Sequence, residues 1–394
     1  MTTYDFDSPV CRCGSDCIKF DRLKENFGRT DLFPLWIADM DFAVAPEIRQ
    51  TVIERLSQPV LGYFSPADSY WQSIISWAKR RHGADIRREE IAFVPGIVRG
   101  IAFAVDFFSH PGDKIVIQTP VYHPFRIVPE GTGRKVVMNP LIENTSAEGS
   151  FYKMDFEGLE RIFVEEKPRM MIVCNPHNPA GIQWTADDLA RVCRLAKKYG
   201  VIVISDEIHG DLMLDGRRHI PMLMSCDEAA DVCITFSAPS KTFNIAGLES
   251  SWMVIRSREL RDPFYKWMEV NEFSSPSVVA WSAAEAAYNH GEPWLDSMLD
   301  YLKGNIDYVE KFCAECLPGI RAVRPEASFL VWLDCRGLGL SHDKLIELFI
   351  DGAHLALNDG AMFGPEGSGF MRLNVALPRT ELEKCMQALA AALA

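Results

Sequence analysis

The sequence predicts an α/β protein, with a large domain built on a mostly parallel sheet between helices and a smaller α/β domain after it. Three observations predict it. Strand-like apolar runs alternate with amphipathic, helix-like segments over residues 90–260, the pattern of a parallel sheet built through helical crossovers. One run, Val201-Ile202-Val203-Ile204, is apolar without a break, as a strand covered on both faces requires. From about Ser275 the alternation gives way to long amphipathic helices and a few late strands. A chain of 394 residues accommodates one large and one smaller domain. The expected division is an N-terminal arm over 1–45 that joins the small domain, a large domain over 46–287 and a small domain over 288–394.

Hydrophobic residues make up 48% of the chain, enough for a sizeable core. Lys and Arg total 41 against 54 Asp and Glu, a net charge of −13. That balance disfavours nucleic acid and anionic membranes as partners. It leaves room for a small anion held by local dipoles. No apolar run reaches the length of a membrane span. The opening Met1-Thr2-Thr3-Tyr4-Asp5-Phe6-Asp7 lacks the basic and apolar regions of a secretory signal, so a cytoplasmic address is expected. Eleven cysteines, an odd number, fit reduced thiols. Cys11, Cys13 and Cys17 have no histidine nearby, and Cys313-Ala314-Glu315-Cys316 has no second pair at zinc-finger distance. Both groups read as free thiols, and no metal is expected.

In chain order, Pro46 opens a helix with Ile48, Val52 and Ile53 on one face. Ser65-Pro66 reads as a cap with proline in the first turn of the next helix, which Gly83 ends. Phe93-Val94-Pro95-Gly96 leads from a strand into a helix over 101–108 that is apolar almost all round. A glycine at such a junction lets backbone N–H groups approach an anion at the helix N-terminus, although a lone glycine is more often a plain turn. Asp113–Thr119 and Lys135–Met138 read as strands, and 143–150 as an exposed loop. Met170–Cys174 is a strand that runs into Asn175-Pro176-His177-Asn178-Pro179, where two prolines stiffen the turn around Asn178. Thr185 with Asp188 caps a helix that Gly200 closes. The strand 201–204 ends in Ser205-Asp206-Glu207-Ile208-His209, an acid at the strand end where α/β sheets place ligands. After 275 come helices over 276–290 and 294–316, a strand at 328–333, a helix starting at Ser341, a strand at 369–375 and a terminal helix.

The stretch that decides the chemistry follows the buried run Val232-Cys233-Ile234. It reads Thr235-Phe236-Ser237-Ala238-Pro239-Ser240-Lys241-Thr242-Phe243-Asn244-Ile245-Ala246-Gly247. Lysine is usually a solvated surface residue. Beside a buried strand end it loses its proton easily, and a neutral amine is a nucleophile towards carbonyls.

Ala238–Gly247 resembles the active-site segment of the class I/II aminotransferase superfamily of pyridoxal 5'-phosphate (PLP) enzymes. More narrowly, it is similar to the cystathionine β-lyase branch, the MalY/PatB-type C–S lyases. Leu35-Trp36-Ile37-Ala38-Asp39-Met40-Asp41-Phe42 resembles the same branch. The resemblance implies the PLP-dependent transferase fold type I, with a seven-stranded sheet in its large domain, PLP on Lys241 and a homodimer. It implies a phosphate turn at Gly96, Ile97 and Val98, with Ser237, Ser240 and the partner copy's Tyr63 adding to it. Tyr122 would lie against the pyridine ring. Asp206 would pair with the ring nitrogen, and Asn178 and His209 with the ring oxygen. Ala38, Asn178 and Arg372 would face the substrate, Arg372 on its α-carboxylate. Lys241, Tyr122 and Tyr63 are the catalytic candidates. One departure stands out: Glu249 occupies the place, eight residues after the lysine, where aspartate-type aminotransferases carry arginine.

The expected reaction is β-elimination from cystathionine or another S-substituted cysteine, giving pyruvate, ammonia and a thiol. Transamination on the same fold is the alternative, since both reactions use the same core residues. A PLP-fold protein acting only as a binding or regulatory partner ranks last.

Overall fold

The computed structural model describes residues 4–144 and 149–394. Its centre is a seven-stranded sheet made of β1 (Ile91–Val94), β2 (Lys114–Ile117), β3 (Lys135–Met138), β4 (Met170–Cys174), β5 (Ile202–Asp206), β6 (Cys233–Ser237) and β7 (Ser251–Val254), in the order β1-β7-β6-β5-β4-β2-β3. Pairings from β3 through β6 are parallel, and β7 runs antiparallel between β6 and β1. The unbroken apolar strands follow from burial on both faces. Val116, Met171, Val173 and Val203 join one core with Leu189, Val192, Cys193 and Ala196 of helix Ala186–Tyr199. Ile115, Ile117, Ile172, Ile202 and Ile204 join another with Ile101, Ala104 and Val105 of helix Ile97–Phe108.

The helices used below are α1 (Pro46–Leu56), α2 (Asp68–His82), α3 (Ile97–Phe108), α4 (Ala186–Tyr199), α5 (Pro239–Thr242), α6 (Arg258–Val270), α7 (Val278–His290), α8 (Glu292–Cys316) and α9 (Arg379–Leu393). A second, antiparallel sheet has β8 (Arg321–Val323), β9 (Leu330–Asp334), β10 (Asn358–Asp359) and β11 (Phe370–Asn374) in the order β8-β9-β11-β10. It packs with α8 and α9 around Val309, Leu333, Leu373, Leu382 and Leu389.

Several expectations are met at the residue level. Thr185 and Asp188 form the reciprocal capping box of α4, and Gly200 closes that helix in the left-handed conformation, as Gly83 closes α2. Others are corrected. The helix expected at Ser65-Pro66 begins at Asp68, with Ala67 extended and no side-chain cap. Proline drives the residue before it into the extended region, and Asp68 supplies the acid that a first turn favours. Ile53 points outward from α1, while Ile48 carries the buried face. The helix expected over 101–108 starts four residues earlier, because Gly96 turns the chain at φ 106° directly after β1. Helix α6 was not anticipated; Pro263 within it breaks the sequence signal. Glu143, expected in an exposed loop, lies in a short antiparallel pair of Ile142–Glu143 with Tyr152–Lys153. Residues 145–148 of that expected loop, and 1–3 of the opening segment, lie outside the described residues. No helix among the described residues is long and apolar enough to cross a membrane.

The arm is tied to both sheets. Asn374, at the end of β11, donates to the carbonyls of Ile37 and Asp39, both at 2.7 Å. Asn244, just after α5, accepts from the Met40 N–H at 3.0 Å and donates to the Met40 and Phe42 carbonyls at 2.9 Å. Arg12 bridges Asp39 and Asp41, and the buried Lys19 ammonium pairs with Asp41 at 2.7 Å. Together these bonds fix Ala38 over the carboxyl end of the large sheet.

Candidate active site

Parallel register aligns the ends of β4, β5 and β6. Cys174 pairs with Asp206, and Asp206 with Phe236. Each strand then releases a functional side chain above the sheet edge: Asn178 four residues after β4, Asp206 at the tip of β5, and Lys241 in α5 after β6. They line one cavity of 280 Å³ together with Ala38, Gly96, Ile97, Val98, Tyr122, His209 and Ser240. Arg372 reaches the same place from β11 of the second sheet, through Asn178.

The Lys241 amine donates to the Ala38 carbonyl at 2.5 Å. Burial lowers it from 10.5 to about 8, and Asp39 and Asp206 oppose the fall. Asp206 is 3% exposed, and burial raises its carboxyl from 3.8 to about 7. One of its oxygens accepts from the Ile208 N–H at 3.1 Å. The other has no hydrogen bond among the described residues. A cationic N–H donor placed there would return the carboxyl to its ionised form.

Arg372 has no carboxylate partner among the described residues. Its nitrogens donate to Asn178 Oδ1 at 3.0 Å, to the Trp36 carbonyl at 3.0 Å and to Asn358 Oδ1 at 2.5 Å. Its Nε is buried with no partner, and burial lowers the group to about 10. A buried guanidinium without a counterion is costly, so the site suits an arriving carboxylate in the bidentate geometry that arginine favours. Because Asn178 Oδ1 accepts from Arg372, its amide N–H groups are left for a ligand oxygen. The Nδ1 of His209 is also buried without a partner. Burial, with Lys241 and Arg372 nearby, holds that ring neutral with its value down to about 3.

At the other end of the cavity, the first N–H groups of α3 (Ile97, Val98 and Arg99) have no backbone acceptor among the described residues. Gly96 can turn there because it lacks a Cβ. The set fits the expected cofactor: an N-terminal anion cradle, an aromatic face at Tyr122, a carboxyl for a ring nitrogen, donors for a ring oxygen and an amine for an aldehyde.

Three expected residues do not line this cavity, among them Arg372, which touches it only through Asn178. Ser237 ends β6 opposite Trp252 and does not line it; Ser240, one turn further, does. Tyr63 is fully exposed (108%) on the segment between α1 and α2. Sequence reasoning missed several lining residues, among them Arg99, Cys174, Ile208, Glu249 and Ser251. Arg99 was missed because the start of α3 was placed too late. Cys174 had its signal in the strand register, since the Asn178 N–H donates to its sulfur at 3.3 Å. Of two roomier clefts elsewhere, the one of 820 Å³ is lined largely by charged side chains such as Arg80, paired with Glu292, and the one of 670 Å³ mixes apolar residues with paired charges such as Arg324 with Asp215.

Comparison with known proteins gives a concordant picture. Residues 30–389 match the family Aminotransferase class I and II. The cystathionine beta-lyase PatB of Bacillus subtilis is 39% identical over 389 residues, covering 99% of this chain and all of that protein. A PLP-bound putative aminotransferase from Clostridium difficile superposes with a TM-score of 0.95 at 37% identity over the full length of both chains. The PLP-bound C–S lyase from Staphylococcus hominis superposes with a TM-score of 0.92 at 31% identity, covering 100% of this chain and 98% of that one.

Proposed function

The chain belongs to the class I and II aminotransferase family, and from that premise we propose that it is a PLP-dependent carbon–sulfur β-lyase acting on cystathionine or other S-substituted cysteines. The observation that carries the reading is the meeting of Lys241, Asp206 and Asn178 in one cavity, with an uncompensated Arg372 bonded to Asn178 behind it. The likeness to PatB and to the Staphylococcus lyase supports the choice of reaction.

When bound, PLP supplies an aldehyde for amine exchange and a ring that accepts negative charge from a substrate Cα. Asp206 would pair with the ring nitrogen and keep it protonated. Arg372 and Asn178 orient the amino acid by its carboxylate. Tyr122 would cover one face of the ring, and His209 and Asn178 would donate to its oxygen. Lys241 Nζ, brought near neutrality by burial, takes the Cα proton. The Cβ–S bond then breaks, and the sulfur leaves with the electron pair. The Lys241 ammonium stands ready to protonate it. The released enamine takes up water and yields pyruvate and ammonia. Positioned proton transfer of this kind contributes about 10²–10⁴-fold to the rate.

Residues 46–287 are read as the cofactor-binding domain and 288–394 as the small domain, with the arm over 1–45. The enzyme is read as a cytoplasmic homodimer. Support for the dimer is the exposed apolar run of Ile53, Leu56, Val60, Leu61 and Tyr63, in which Tyr63 is free to reach a second copy's cofactor. The test is incubation with cystathionine and no keto acid. Pyruvate and thiol released in equal amounts support the lyase; turnover that strictly requires an added keto acid replaces it with a transaminase.

A further inference from the structure

Glu249 brings a carboxylate to the anion-binding end of the cavity. A carboxylate close to a phosphate is repulsive unless something neutralises it. It stands there on a left-handed turn, φ 53°, a conformation that residues with a Cβ seldom adopt. Arg99, in the first turn of α3, lines the same end. Its Nη1 and Nη2 donate to the two Glu249 oxygens at 2.6 and 2.8 Å, and Nη1 also donates to the Pro95 carbonyl at 3.0 Å. The fork is thereby fixed beside the N–H groups of Ile97 and Val98, which have no backbone acceptor among the described residues. Its Nε–H and the second Nη2–H make no hydrogen bond among the described residues.

We propose that Arg99 is the cation that recognises the cofactor phosphate, aimed by Glu249 and using the donors that Glu249 leaves free. The proposal rests on the reading of the cavity as a PLP site. Arg99 offers a directional, permanently charged donor set at the one place where the chain's own carboxylate would oppose the ligand. Both side chains are half exposed, so replacing them leaves the core untouched.

The test titrates cofactor-free protein with PLP and, separately, with pyridoxal, which lacks the phosphate, and reads dissociation constants from tryptophan fluorescence. Arg99→Gln is expected to weaken PLP by about tenfold, about 1.4 kcal/mol, and pyridoxal by less than about twofold. Adding Glu249→Gln to Arg99→Gln is expected to reduce the PLP loss to about threefold, because no unpaired carboxylate then faces the phosphate. An equal loss for both ligands, or no loss for either, overturns the role of Arg99 and leaves the cavity reading standing. Wild-type protein that binds neither ligand overturns both.

Discussion

At the scale of single residues, the site works by burying charges and leaving them one partner short. Arg372 has three acceptors and no anion among the described residues. Arg372→Lys keeps the charge and loses the fork, so kcat/KM for an amino acid should fall about a hundredfold, about 2.7 kcal/mol, with visible PLP absorbance unchanged. Asp206 gives a pH signature. Its value is raised from 3.8 unfolded to about 7 folded in the cofactor-free protein, so the folded form binds the extra proton between those limits. Its contribution to stability is therefore full below about pH 4 and is lost as pH rises through about 7. His209, lowered to about 3, works in the opposite direction below about 6.5. The Asp206→Asn difference isolates the first effect. Wild-type stability measured against that variant by urea unfolding should decline by a few kcal/mol from pH 4 to 7 and then level off. A flat difference would mean that Asp206 is not desolvated. Lys241, Asp206, Asn178 and Arg372 were legible because each stands at a strand end or amid apolar neighbours where a polar residue needs a reason. Arg99 was not, because its place depends on the backbone angle of Gly96 and on a carboxylate 150 positions away.

Among the elements, α3 must lie close to the sheet for its N-terminus to face the cavity. Gly100 makes that possible: a Cβ there would come within 2.6 Å of the Phe236 ring. Gly100→Ala should cost about 1–3 kcal/mol as an overpacked core position and weaken PLP by tilting the helix start; urea unfolding and cofactor titration check the two effects. The Thr185–Asp188 box is independent of the site, and Thr185→Ala should cost about 1 kcal/mol with PLP affinity intact. Local signals made that cap readable: a short polar side chain, an acid three residues on, then an amphipathic run. The same kind of signal misled at Ser65-Pro66, where the proline belongs to an extended approach to α2, and it was hidden in α6 by Pro263. The parallel sheet was readable from burial on both faces; the two-residue pairings of Phe33–Pro34 with Leu355–Ala356 carry no pattern long enough to detect.

For the whole molecule, the cavity needs an arm that crosses between sheets, and no local pattern encodes that crossing. Ala38 meets Lys241 because Asn244 and Asn374 hold the arm from either side. Asn244→Ala removes three hydrogen bonds, each worth about 1 kcal/mol; it should lower stability and lower kcat more than it changes PLP affinity. The exposed apolar run around Tyr63 should be covered in a dimer, so sedimentation should give twice the 44.4 kDa chain mass. Underlying all of this is the claim that Lys241 is the amine that carries the cofactor. Borohydride reduction of PLP-loaded protein, followed by peptide mass mapping, tests it most directly. The account predicts a single pyridoxyl adduct on Lys241, lost in Lys241→Ala; an adduct on another lysine, or none in protein that retains PLP and activity, would contradict it.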